Sequence, residues 1–262
     1  MDTDRGPQVM RLPNELEIAY LDSHEAAFIY NEIFAGEKYL AHGLDLPQQA
    51  TVVDAGANIG LFSLYVKQRA PEARVLAIEP IDDILKVLRM NLQDVPGCRV
   101  LPVGLSNADG LAELTYFPKL PGMSGRYADF DSDRLLIQTV LANTSAANAG
   151  FAGFLVDRRL RGRPVMCALR RLSSIIDDEG IHEIDLLKID VEKSEWEALA
   201  GIDDRHWPGI RQMVVEVHDL DGRLSDIVRI LKDRGYTVCA EQDALFRGTD
   251  VYLVYARRGS LQ

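Results

Sequence analysis

Short apolar runs alternate with helical patterns along most of the chain, and that alternation limits the folds open to it. The runs are Thr51–Asp54, Arg74–Glu79, Arg99–Val103, Asp185–Asp190, Gln212–Val217, Tyr236–Ala240 and Val251–Ala256. Helical patterns lie between several of them, at Ile59–Arg69, Asp82–Leu92, Ser194–Ala200 and Arg223–Arg234. Strands separated by helices of about 10–15 residues argue for a parallel, doubly wound α/β sheet. Val75–Ile78 and Met213–Val215 are apolar without a break, which suits strands covered on both faces.

The pattern breaks twice. Residues 15–46 precede the first core strand and read as a polar strand followed by a helix, an N-terminal cap. Residues 119–171 are too long for a connection and read as an insertion. They hold a helical run from about Asp133 to Ala147, the small polar piece ANTSAANAG and an arginine-rich stretch. Long excursions in compact domains are usually lids or binding loops. A chain of 262 residues fits a single domain over 1–262 carrying this cap and insertion.

Composition excludes several classes. With 29 Lys and Arg against 40 Asp and Glu the formal net charge is −11, the wrong sign for a nucleic-acid binder. Cys98, Cys167 and Cys239 are far apart and form no CxxC pair, so neither a disulfide framework nor a structural zinc site is expected. The first residues, MDTDRGPQ, do not read as a signal peptide. No apolar run approaches the roughly 18 residues that cross a bilayer. A cytoplasmic enzyme of small molecules, with no membrane partner, is the expectation.

The strongest local signal is VVDAGANIGLFSLYV, residues 52–66. A buried strand runs into Asp54, Gly56 and Gly60 bracket a tight turn, and a helix follows. Glycine allows close backbone approach or a positive φ, and a helix start offers free N–H groups. The next strand ends at Glu79, where a carboxylate can accept from a ribose diol. Dinucleotide sites use GxGxxG, whereas here the spacing is DxGxxxG, led by an acid. An acid beside the cradle repels phosphate and attracts an ammonium. That points to S-adenosylmethionine, which has an amino-acid end and a nucleoside end.

These segments, with VLAIEP, LPVGLSN, IDLLKIDVEKSEWEALAGI and QMVVEVHD, make the chain resemble the class I S-adenosylmethionine-dependent methyltransferases, and within them the FkbM family. RYADFDSDR and KIDVEKSE look like the FkbM-type domains built into polyketide and nonribosomal peptide synthases. Many free-standing members have Gly-Ala where this chain has Lys193-Ser194. The resemblance implies a Rossmann-like, mainly parallel seven-stranded sheet. It implies that Asp54, Gly56, Asn58 and Gly60 cradle the methionine part, that Glu79 holds the ribose, and that Leu105 and Ser106 contact adenine. Tyr39 and Glu37, in the N-terminal segment, are expected where that segment closes over the cofactor or packs on the sheet rim.

Methyl transfer to an alcohol needs alignment and a base beside the methyl. Lys188, Asp190 and Glu192 alternate at one strand end, so period two points them to one side. Glu216 and His218 repeat the device on the next strand. His218 is the favoured base, since a neutral imidazole can take a proton near pH 7. Glu192 or Glu216 would orient it, and Asp190 would position cofactor or acceptor. Glu195 and Glu197 read as capping acids of the following helix. His24, His42, His182 and His206 read as solvated or capping residues. No HxH or HxxxH pair is present, so metal-independent chemistry is favoured. The alternative is Mg²⁺-assisted transfer with Asp190 and Glu216 as oxygen ligands.

In the insertion, Gly122 and Gly125 suggest mobility, and Met123, Arg126, Tyr127 and Phe130 suggest a lid over the acceptor. Arg158, Arg159, Arg161, Arg163, Arg170 and Arg171 fall in a stretch without an acid. They either steer an acidic carrier protein that tethers the acceptor, or pair with this chain's own acids. The expectation is O-methylation of a hydroxyl or enol of a small biosynthetic intermediate. Methylation of nitrogen or carbon, a nucleotide-dependent oxidoreductase and a non-catalytic docking module are the alternatives.

Overall fold

The computed structural model describes residues 6–144 and 152–259, with the side chains of 152–155 left out of account. The strands are β1 (Gln8–Arg11), β2 (Glu17–Tyr20), β3 (Thr51–Ala55), β4 (Arg74–Ile78), β5 (Cys98–Leu101), β6 (Gly104–Leu105), β7 (Gly110–Tyr116), β8 (Arg163–Arg170), β9 (Leu186–Ile189), β10 (Gln212–His218), β11 (Tyr236–Glu241) and β12 (Val251–Arg258). The helices are α1 (Ser23–Tyr30), α2 (Leu61–Arg69), α3 (Asp82–Leu92), α4 (Phe130–Thr144), α5 (Ala152–Arg159), α6 (Leu172–Glu179), α7 (Glu195–Ala200) and α8 (Arg223–Asp233).

Seven strands form one sheet in the order β11-β12-β10-β9-β3-β4-β5. Pairs from β10 through β5 are parallel, and β12 runs antiparallel between β10 and β11. Successive residues of a strand face opposite layers. Val52, Leu186 and Val214 pack with α2 and the N-terminal segment, while Val53, Leu187 and Val215 pack with α6, α7 and α8. All six are 0% exposed. Each such side chain contributes roughly 1.5–3 kcal/mol by leaving water. The uninterrupted apolar runs thus mark strands covered on both sides.

The sheet reverses its order of filling at β3 and β9: the chain first builds outward to β5, then returns beside β3. Ligands of doubly wound sheets bind outside the carboxyl ends of strands at such a switch point. Thr51–Asp54 and its register partners therefore carry the site. Asp54 lies opposite Lys188 across the β3–β9 ladder.

Two regions differ from the sequence reading. Residues 15–46 form more than a strand and a helix. β2 pairs with β1, α1 runs on into a π-helical turn at Asn31–Ala35, and a 3-10 turn covers Lys38–Leu40. The insertion is also smaller than 119–171. Residues 163–170 are β8, the middle strand of a three-stranded sheet with β6 and β7. Its exposed and buried residues alternate toward its carboxyl end, so the arginines at its limits sit on a strand and not on a lid. The predicted helix from Asp133 appears as α4, beginning at Phe130. Its expected end at Ala147 and most of ANTSAANAG fall outside the described residues.

Candidate active site

Lys188 organises the floor of the site. Its Nζ lies 3.2 Å from Asp54 and 3.3 Å from Asp190, and it donates to the Gly56 carbonyl at 2.8 Å. Burial opposes its charge, but the two carboxylates outweigh it and raise its pKa. The Tyr39 and Phe62 rings lie 5.6 and 5.9 Å from the ammonium. Asp54 also accepts from Ser63 Oγ at 2.7 Å and is wholly buried. It does not line the cavity described below, and neither do Gly60 and Tyr127.

Gly56 has φ +74°, and a Cβ there would stand 1.7 Å from the Asp190 carbonyl oxygen. Only glycine lets the loop cross the end of β9 so closely. Gly60 caps α2 with φ +91°, and a Cβ would meet Leu88 at 2.8 Å. Its role is the packing of α2 on α3. Asn58 sits between them at φ +48°.

A cavity of about 430 Å³ opens above this floor, within the range of small-molecule sites. At one end it is lined by Gly56, Asn58, Glu79, Leu105 and Ser106. Glu79 accepts from the backbone N–H of Ile81 at 3.0 Å and of Asn58 at 3.2 Å. Burial raises its pKa to about 7 in spite of these donors. Each oxygen holds one backbone donor and keeps a lone pair for a diol.

At the other end stand Tyr39, Asp190, Glu192, Glu216 and His218. The Tyr39 hydroxyl lies 3.3 Å from Asp190 and 3.5 Å from Glu216, so its proton serves these acids. Burial and the neighbouring carboxylates hold the phenol well above its ordinary pKa. Burial and like charges also push Glu192 and Glu216 upward. Glu37 is elsewhere, pairing with Arg69 at the half-exposed surface.

His218 closes β10 and is 2% exposed. Nδ1 faces Glu195 at 3.4 Å and Nε2 faces Glu192 at 3.6 Å. Burial disfavours its charge, but Glu195 beside the ring and Glu216 nearby raise its pKa to about 9. Glu192 is one of the two partners offered by the sequence. Glu216 instead joins Asp190 at Tyr39. Glu195 is 0% exposed and points inward, contrary to its reading as a capping acid. Glu197 also turns inward, accepting from the Tyr127 hydroxyl at 2.8 Å.

The roof comes from the insertion. Met123, Leu136, Ile137 and Val140 line the cavity, and so does the exposed Arg126, whose guanidinium lies over the Tyr127 ring. Gly125 is not a point of mobility. It pairs with Thr115 through two backbone hydrogen bonds, and a Cβ would meet the Glu192 carbonyl at 2.9 Å. The arginine stretch is largely committed internally: Arg159 pairs with Asp22, Arg163 with Asp83, Arg170 with Asp178 and Arg171 with Asp203.

Acids at both ends and apolar walls between them match a ligand with a cationic centre and a nucleoside. The fold and this cavity define an S-adenosylmethionine-dependent methyltransferase, with S-adenosylmethionine as cofactor. Comparison with known proteins sharpens this. The chain belongs to the FkbM family, since the Methyltransferase FkbM domain matches residues 54–238. It is 41% identical to 31-O-demethyl-FK506 methyltransferase FkbM of Streptomyces tacrolimicus, over 96% of this chain and 97% of that protein. It is also 41% identical to AMB antimetabolite synthetase AmbE of Pseudomonas aeruginosa, over 94% of this chain but 12% of that synthetase. The crystal structure of Methyltransferase FkbM from Methylobacillus flagellatus KT is similar in fold. Its TM-score is 0.53 at 17% identity, over 82% of this chain and 45% of that chain. No helix among the described residues is long and apolar enough to cross a membrane.

Proposed function

We propose that this methyltransferase acts on a hydroxyl oxygen of a small biosynthetic intermediate, with His218 as general base. The observation that carries the proposal is the placement of the His218 ring. It is buried at the end of β10, backed by Glu195 on one nitrogen and facing the cavity acid Glu192 on the other. The name of the Streptomyces relative, an O-methylating enzyme of a natural product, supports oxygen over nitrogen or carbon.

Asp54, Gly56, Asn58 and Gly60 shape the methionine end, Asp54 and Gly60 by holding the loop from behind. Glu79 takes the ribose diol, and Leu105 with Ser106 bounds the adenine. The bound cofactor supplies an electrophilic methyl group on a sulfonium. His218 receives the acceptor's proton at the ring nitrogen facing the cavity, and Glu195 holds the ring and stabilises the imidazolium. Asp190 and Glu216, bridged by Tyr39, fix the acceptor's position. Met123 and Arg126 contact the acceptor, and Tyr127 holds their loop on Glu197. The whole chain acts as one unit, with residues 15–46 as cap and residues 121–144 with α5 as lid.

His218→Ala is expected to bind S-adenosylhomocysteine as wild type does but to methylate roughly 10²–10⁴ times more slowly. Unchanged turnover would falsify the base assignment. The likeness to a segment of a synthetase favours a second reading, in which the acceptor is tethered to a carrier protein. Intact-mass detection of a methyl gain on carrier-bound and free hydroxy acids separates the two. Transfer to the free acid alone excludes tethering.

A further inference from the structure

One buried carboxylate at the cofactor end is used by none of these roles. Glu25 lies in the first turn of α1, held there by the N-cap Asp22. Its Oε1 accepts from Asn58 Nδ2 at 3.2 Å and from the Gly122 N–H at 2.9 Å. Its Oε2 is sealed from solvent and has no hydrogen-bond partner. The Asn58 Oδ1 is likewise buried and unpartnered. Both residues line the cavity.

Two unsatisfied buried acceptors on a hydrogen-bonded pair of residues call for a donor, and one of them belongs to an acid. No salt bridge to Glu25 is present among the described residues. Arg159, the basic side chain whose field reaches Glu25, is paired with Asp22. Burial accordingly raises the Glu25 pKa to about 7 despite its two donors. Asp54, the acid that leads the glycine loop, is already taken by Lys188 and Ser63.

The geometry points to Glu25, reaching in from the N-terminal helix, as the carboxylate that receives the ammonium of the cofactor's methionine end, with Asn58 Oδ1 as a second acceptor. This rests on the proposed placement of the methionine end at residues 54–60. Because Oε1 also takes the Gly122 N–H, the same carboxylate ties the cofactor to the mouth of the lid.

The test is calorimetric titration with S-adenosylhomocysteine and with its analogue lacking the amino group. Glu25→Gln keeps an oxygen for Asn58 and Gly122 and removes the charge. It is expected to weaken S-adenosylhomocysteine about 10- to 100-fold while changing the deamino analogue by less than about twofold. Equal weakening of both ligands, or no weakening of S-adenosylhomocysteine, overturns the assignment. Gly56→Ala tests the placement independently. It should weaken both ligands, and if it weakens neither, the methionine end does not lie at this loop.

Discussion

At the scale of single residues, the site is a problem of placing many acids around few cations. Asp54 and Lys188 face each other in register on neighbouring strands, so the ladder itself brings the pair together. The spacing of Lys188 and Asp190 was readable from strand alternation, but Glu192 lies beyond β9 in a left-handed turn that the alternation does not reach. Glu195 was not readable. The chain leaves β9 through two left-handed residues, Glu192 at φ +47° and Lys193 at φ +69°, neither of them glycine. That turn carries Glu195 back beneath His218, and no local pattern announces it. Glu25 was hidden for a different reason, since its partners Asn58 and Gly122 are distant in sequence. The His218–Glu195 contact makes a prediction. A base must be deprotonated, so kcat/KM for the cofactor should rise with pH, reach half its limit near the free-enzyme value of about 9 and level off above it. Glu195→Gln removes the charge that raises this value. The rising limb should move down toward the ordinary histidine range near pH 6.5. A pH–rate profile with an unmoved limb would remove Glu195 from the mechanism.

Among the elements, α4 is tied near its start to the turn after β9 and near its described end to the connection between β11 and β12. Near its start, Asp133 receives Lys193 Nζ at 2.5 Å, both side chains almost fully buried. Near its end, Asn143 Nδ2 donates to the carbonyls of Leu245 and Arg247, in the connection between β11 and β12. Lys193 occupies a left-handed position that favours glycine. Here a lysine takes the conformation and anchors the roof. Asp133→Ala leaves that ammonium buried without its partner, at about 3–5 kcal/mol. Hydrogen exchange should then show α4 losing protection while β3, β9 and β10 keep theirs. Uniform loss would mean that α4 belongs to the core and not to a separable roof. The parallel strands were legible from their apolar runs, each followed by a helix pattern or a turn. β7 and β8 were not, because GLAELTY and RPVMCALR mix charged and apolar residues on a half-exposed sheet, and arginine content masked the alternation.

For the whole molecule, net charge is the useful variable. The surplus of acids is partly spent against the arginines of the insertion and partly concentrated in the cavity. Glu25 and Glu79 have folded values raised from 4.5 to about 7. A raised group contributes stability that is fully present below its unfolded value and lost as pH rises through the folded one. The free protein is therefore expected to lose stability from about pH 4.5 to about pH 7, with His218 extending the loss toward pH 9. With the ammonium of the cofactor at Glu25 as proposed, cofactor and proton compete for that carboxylate. The rise in Tm on adding S-adenosylmethionine should thus be larger at about pH 7.5 than at about pH 6. Thermal unfolding at the two values measures this, and a smaller rise at the higher pH would contradict it.

The antiparallel position of β12 has a consequence for how the molecule comes into being. β10, which ends in His218, has β9 on one side and β12 on the other, with His218 opposite Val251. In synthesis β12 is made after β10 and β11, so β10 waits as an open edge while more than thirty residues emerge after it. That edge, apolar over Met213–Val215, is able to pair with another chain. Nascent molecules should therefore be most prone to wrong pairing just before the strand that completes the base's surroundings appears.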